Sequence, residues 1–308
     1  MSNARAAPTY QSGERSVAAN VTGSPPEARA AALEFLCQLA AEVSKGSVNL
    51  PCFPNVVLRI RKALADPDTT PEQTVKIVGA EPRLAARLLQ VANSVTFNTS
   101  GKPLTDLRGA ITRLGQQLVQ CATMAFAVQQ MKNEASLRAI ARPLSAVWNE
   151  SISVASICQV VARRTKVNPD EAFLTGLLHS IGRLYIMVRA VGSAKAFSRE
   201  PAFKELVTGW HAAIGKAVLE NWGFTERMSE AVGDQGVYEN RGKHEADLSD
   251  VLIVSVVLAE TLRRREPRIV AANGIAAFQS IGLNVKDCDA ILKHTEYQLG
   301  SLHDALGC

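Results

Sequence analysis

An all-helical fold is the prediction, and three features of the sequence carry it. Strong β-formers are scarce: aromatic residues fill 5% of the 308 positions, while alanine and leucine recur throughout. Apolar residues return at helical rather than alternating spacing in segment after segment. Small polar caps followed by proline punctuate the chain as helix starts. With 47% hydrophobic residues, the chain has material for a substantial core.

Residues 1–28 lack a sustained apolar stretch and read as a flexible tail, punctuated by Pro25 and Pro26. The following segment places Ala32, Phe35, Leu36, Leu39 and Val43 on one helical face and ends near Gly46. Pro51 and Pro54 keep the next entry extended before Val56, Val57, Ile60 and Leu64 resume helical spacing.

Thr70, Pro71 and Gln73 predict a capping box, and Pro82 opens another helix with Leu84, Ala85, Leu88, Leu89 and Ala92 on its apolar face. The polar run from Asn98 to Pro103 is a loop, and "LRGAITRLG" and "QQLVQCATMAFAVQQM" predict a helix pair. The pattern weakens over "KNEASLRAIARP", so Pro143 marks a junction between two halves, one to about residue 142 and one from 143 to 265.

The second half opens with a long buried helix, "LSAVWNESISVASICQVVARRTKV", and the next is capped by Asn168, with Pro169 first and Glu171 closing the box. Helices are also expected over 211–222, 226–233 and 249–265. A C-terminal helical extension, 266–308, shows a short packed helix at Ile291, Leu292, Leu299 and Leu302.

Composition excludes several function classes. The net charge of +5 is modest and spread along the chain, so a nucleic-acid partner is not expected; Arg263, Arg264 and Arg265 read as a solvated helix end. The strongly apolar run from Val251 to Ala259 is too short to cross a bilayer, so no membrane partner is expected. Six cysteines without a C-x-x-C pair, at 37, 52, 121, 158, 288 and 308, read as reduced thiols in a cytoplasm, mostly buried, with Cys308 loose at the terminus. There is no G-x-G-x-x-G loop, Walker lysine loop or H-E-x-x-H.

Four blocks, "NLPCFPNVVLRI", "DPDTTPEQTVKIVGAEPRLAARLLQVANS", "LTDLRGAITRLG" and "EAFLTGLLHSIGRL", occur in an order that resembles the HDOD domains of bacterial signalling proteins. That family is a divergent branch of the HD phosphohydrolase superfamily, and the resemblance runs from about residue 48 to about residue 262. It implies an all-α, HDOD-like fold in which an N-terminal helical bundle packs on an HD-like helical core. Catalytic HD proteins hold two divalent metals with an early His, a His-Asp pair, sometimes further histidines, and a late Asp. The Asp of the pair bridges the metals, so that bound water ionises near neutral pH and attacks phosphorus.

Mapped onto this chain, the early His position holds Glu150, the pair is His179 and Ser180, and the late acid is Glu260. His211 falls in a block where relatives carry another His, but no partner histidine follows in "AVGDQGVYEN". On a helical wheel His179 faces away from the apolar stripe of Phe173, Leu174, Leu177, Leu178 and Ile181, beside Ala172, Thr175, Gly182 and Arg183, whose mostly small side chains would let a second helix or a ligand approach closely.

His179 therefore reads as an internal hydrogen-bonded histidine, with a metal ligand as the alternative. Ser180 reads as a hydroxyl bonded back to the Gly176 carbonyl, and a neutral serine is a poor substitute for a bridging carboxylate. Glu150 and Glu260 read as solvated and His211 as a structural or surface residue. Phe97, in the loop "NSVTFNTSGKP", is either an exposed contact or a local packing anchor.

The expectation is a non-catalytic regulatory or scaffold module of bacterial signal transduction. It would have no catalytic residues, no cofactor, a signalling protein as partner, and a small molecule as a second kind of ligand. The alternative is a phosphohydrolase or cyclic-nucleotide phosphodiesterase with one divalent metal held by Glu150, His179, His211 and Glu260 in some combination.

Overall fold

The computed structural model describes residues 26–46, 48, 57, 60, 63–64, 66, 68–98, 100–193, 201–238, 245–264 and 275–306, and every regular element among them is helical. The first, α1 (Pro26–Ser44), starts inside the segment read as a tail, with proline in its first turn, where the missing N–H costs nothing. The rest of that tail lies outside the described residues. All five residues of its predicted face are buried, Ala32, Phe35, Leu36, Leu39 and Val43.

Local start signals set the next helices. In α2 (Pro71–Gly79) the Thr70 side chain accepts from the Gln73 amide at 3.2 Å and the Gln73 side chain accepts from the Thr70 amide at 2.7 Å, which completes the capping box. In α3 (Pro82–Asn93) Leu84, Leu88 and Ala92 are buried as predicted; Val91 joins them, while Ala85 and Leu89 are only half-buried. The predicted helix pair is α4 (Leu107–Lys132), broken at Gly115, whose φ of 71° and ψ of 168° interrupt the helix between the two quoted segments.

A 3-10 turn (Ala135–Ile140) carries the chain across the junction, and Pro143 lies in the first turn of α5 (Ala141–Ala162) rather than before it. This helix is the axis of the second half, with Trp148, Ile152, Ala155, Ile157 and Val161 buried. Around it pack α6 (Pro169–Leu178), α10 (Leu248–Arg264) and α12 (Val285–Leu306), while α7 (Ile181–Ser193), α8 (Pro201–Asn221) and α9 (Glu226–Asp234) continue the layer outward; the short α11 (Ala276–Ile281) packs on α10. Asn168 caps α6 by accepting from the amides of Asp170 and Glu171, but the Glu171 carboxylate pairs with Arg227 at 3.3 Å instead of closing a box.

Two elements sit where chain order does not place them. Among the described residues the main neighbour of α1 is α8, whose Asn221 donates to the Val43 carbonyl at 3.1 Å, and Arg189 of α7 pairs with Glu42 at 2.7 Å. The first described helix thus packs on the second half. The C-terminal helix α12 is not short: its 22 residues contact α5 and α10 in one half and α3 and α4 in the other. Arg87 on α3 fastens it by donating to the carbonyls of Asp304 and Ala305 at 3.1 and 2.9 Å, satisfying acceptors of its last turn.

Cys121, Cys158 and Cys288 are buried free thiols and Cys37 is exposed, while Cys52 and Cys308 lie outside the described residues. No described helix is long and apolar enough to cross a membrane.

Candidate functional site

The stretch "LTGLLHSIG" does not form one helix. Its first part ends α6 at Leu178, His179 and Ser180 make a turn, and Ile181 begins α7, so the wheel drawn through Arg183 has the wrong phase beyond Leu178. The turn is deeply placed, with His179 at 1% and Ser180 at 0% exposure. The ring of Phe97, from the 94–98 turn, meets Phe173 edge to face at 5.2 Å, so the loop aromatic anchors the helix that carries the pair.

Hydrogen bonding fixes the state of His179. Its Nδ1 lies 2.7 Å from the Gly176 carbonyl, which only accepts, so Nδ1 carries the proton. Burial holds the ring's pKa down to about 3, with the nearby charge of Arg183 adding to the effect, so the ring is neutral and Nε2 is an acceptor. Ser180 Oγ, 2.9 Å away, donates to that lone pair. The serine was expected to bond to Gly176; instead the histidine takes that carbonyl and the serine closes on the histidine.

The small residues beyond the turn bring in α8. A Cβ on Gly182 would lie 2.0 Å from the His211 carbonyl oxygen and 2.7 Å from the Gly215 nitrogen, a backbone contact that any side chain would block. This contact sets His211 beside His179. His211 is 8% exposed, and its Nδ1 donates to the Thr208 carbonyl at 2.8 Å. Burial and then the Arg183 charge lower its pKa to about 4. In the block where a partner histidine is missing, Gln235 sits beside this ring, and its Nε2 donates to the His179 carbonyl at 3.0 Å.

Arg183 is the residue whose role the sequence reading missed. Its Nη1 bonds Glu150 at 3.2 Å, and its charge lowers the pKa of both histidines, so a guanidinium stands among three of the five mapped positions. Glu150 is half-buried in this pair rather than solvated, with its side chain 31% exposed. Glu260 is the closer match to a solvated residue, but it is clamped by Arg263 and Arg264 at 2.5 and 2.6 Å. The hydrogen bond from Arg263 leads in lowering its pKa to about 2, against the effect of burial, and Arg264 adds to it. Arg265 lies outside the described residues.

Glu150, Arg183, Glu260, Arg263 and Arg264 line one cleft of about 1080 Å³, together with Tyr238, Thr208 and His303 of α12. His179, Ser180 and His211 are not part of its lining. Of the histidines outside the matching blocks, His303 reaches the cleft, His294 is exposed, and His244 lies outside the described residues. Among the described residues no group of three or more His, Cys, Asp or Glu side chains is arranged to hold a metal ion.

The HDOD domain family matches residues 50–236, more than half of the chain. The structure is similar to a proposed metal-dependent phosphohydrolase from Shewanella amazonensis SB2B, with a TM-score of 0.65 and 23% identity over 89% of this chain and 99% of that one. It is similar to an HDOD domain protein of unknown function from Geobacter sulfurreducens, with a TM-score of 0.57 and 22% identity over 89% and 98%. A proposed signal transduction protein from Marinobacter aquaeolei VT8 matches with a TM-score of 0.56 and 18% identity over 95% of this chain and 68% of that one. A curated relative, an uncharacterized protein of Treponema pallidum (strain Nichols), is 20% identical over 210 residues; the match spans 63% of this chain and 39% of that protein's length. At these identities the solved structures establish the fold, an HD-like helical one. The order of the four sequence blocks, the helical architecture and the match over residues 50–236 agree, and the chain belongs to the HDOD domain family.

Proposed function

We propose that the protein is a non-catalytic regulatory module of a bacterial signalling pathway, acting in the cytoplasm by binding a partner protein or a small molecule. One observation carries this reading: three metal-ligand positions of the HD pattern, Glu150, His179 and Glu260, are committed to other groups of the protein. The Nε2 lone pair of His179, which a metal would need, accepts the Ser180 hydroxyl. Glu150 holds Arg183, and Glu260 holds Arg263 and Arg264.

As arranged, these donors do not fit a divalent ion. Hard cations require anionic oxygens to offset their lost hydration, yet Ser180 is neutral and Arg183 adds a positive charge where the ligands would converge. Without a metal-activated water the pattern has no nucleophile for phosphorus chemistry. The Marinobacter relative's name, signal transduction protein, supports the signalling part of the reading.

The test is hydrolysis of bis(p-nitrophenyl) phosphate by the full chain with Mn²⁺ supplied. The expected rate equals that of buffer alone. Turnover that disappears in His179→Ala would establish the phosphohydrolase alternative instead.

A further inference from the structure

The geometry points to the cleft beside Arg183 as a binding site for a small molecule that carries a phosphate or carboxylate group on an apolar body, its oxygens held by Arg183 and Arg263. This inference rests on the reading above, in that a guanidinium rather than a metal supplies the positive charge.

Arg183 uses Nη1 for Glu150, and its Nε and Nη2 make no hydrogen bond to a described residue. Its side chain is only 28% exposed, so an ionic contact there is less screened than at an open surface. Arg263 forks Nε and Nη2 onto Glu260 and keeps Nη1 for another acceptor. It also lies close enough to Glu150, the partner of Arg183, to feel that charge, and both arginines line the same cleft. Arg183 and Arg263 thus each keep donors in the described lining that Glu150 and Glu260 do not take.

The remainder of the lining describes the rest of the ligand. Val256, Val257, Leu262 and Ile275 are apolar wall, which fits a hydrocarbon or ring rather than a bare ion. Asn149, also in the wall, has a buried Oδ1 with no hydrogen-bond partner, an acceptor that a ligand N–H or O–H would satisfy. The cleft's volume of about 1080 Å³ is ample for such a molecule.

Isothermal titration of the full chain with phenyl phosphate and with benzoate, against sodium chloride at matched ionic strength, tests the site. Saturable binding of one molecule per chain by either probe is expected, and the stronger probe identifies the oxyanion. Arg183→Gln and the surface-exposed Arg263→Gln should each weaken it by about tenfold or more, from the loss of a charge-assisted hydrogen bond. Arg108→Gln, which removes an exposed arginine paired with Glu72 at 2.9 Å, should leave it unchanged. Heats no larger than those of chloride, or an equal loss in Arg108→Gln, would overturn the inference. Binding that survives EDTA supports it. Binding that requires an added divalent ion overturns both this inference and the metal-free reading, whereas absence of binding in protein shown to be metal-free overturns this inference alone.

Discussion

Replacing Gly182 with alanine tests the contact that sets α8, and with it His211, against the His179 turn. The added Cβ would stand 2.0 Å from the His211 carbonyl oxygen, 2.7 Å from the Gly215 nitrogen and 2.9 Å from the His211 carbonyl carbon, all backbone atoms. Relief requires the two helices to separate by about an ångström, because no flexible side-chain end is available to move aside. Overpacking of this kind costs about 1–3 kcal/mol when side chains can adjust, and a backbone clash belongs at or above about 3 kcal/mol. With a melting shift of about 2–4 °C per kcal/mol for a chain of this size class, the variant should melt about 6–12 °C below the parent. Urea unfolding followed by far-UV circular dichroism gives the free energy, and Gly236→Ala is the control, since a Cβ there meets nothing within 4 Å. If Gly182→Ala fell within about 0.5 kcal/mol of that control, the helix contact described here would be wrong.

Ser180→Ala strips the donor from His179 Nε2 and leaves a buried acceptor unpaired, so it should lower stability by about 1–3 kcal/mol in the same unfolding assay. Thr70→Ala removes the capping box of α2 and should cost about 1 kcal/mol. His179 and His211 have pKa values lowered by burial to about 3 and about 4, so the unfolded state binds their protons more readily than the native one. Their stability contribution is complete above about pH 6.5 and is lost as pH falls toward those values, at about 1.4 kcal/mol per pH unit for each ring. Unfolding free energies measured from pH 7 to 4.5 should show this decline, and His211→Gln should reduce its slope.

What the sequence made legible was local. Thr70, Pro71 and Gln73 announce a helix start because all the atoms involved lie within four residues, and Gly115 separates two amphipathic segments whose phases differ. The break at His179 and Ser180 gave no such signal: neither residue is a helix breaker, and the turn is held by contacts of α8 and Gln235 that come later in the chain. The five mapped positions were readable by type, but their partners were not, because the Arg183–Glu150 pair joins two helices. Amphipathicity likewise showed that α1 buries Leu36 and Leu39, without showing that α1 would pack on α8. The C-terminal helix was underestimated because its exposed face, including Lys293, His294 and Tyr297, dilutes the apolar pattern that Ile291 and Leu302 maintain.

In the function proposed above, a hydrogen-bonded histidine–serine pair and a guanidinium stand at the positions matched to the metal ligands of HD enzymes. Elemental analysis of the full chain, purified without chelators, tests it most directly. Mn, Fe and Zn are expected far below one ion per chain, with no change in His179→Ala. A stoichiometric ion that is lost in His179→Ala would contradict it.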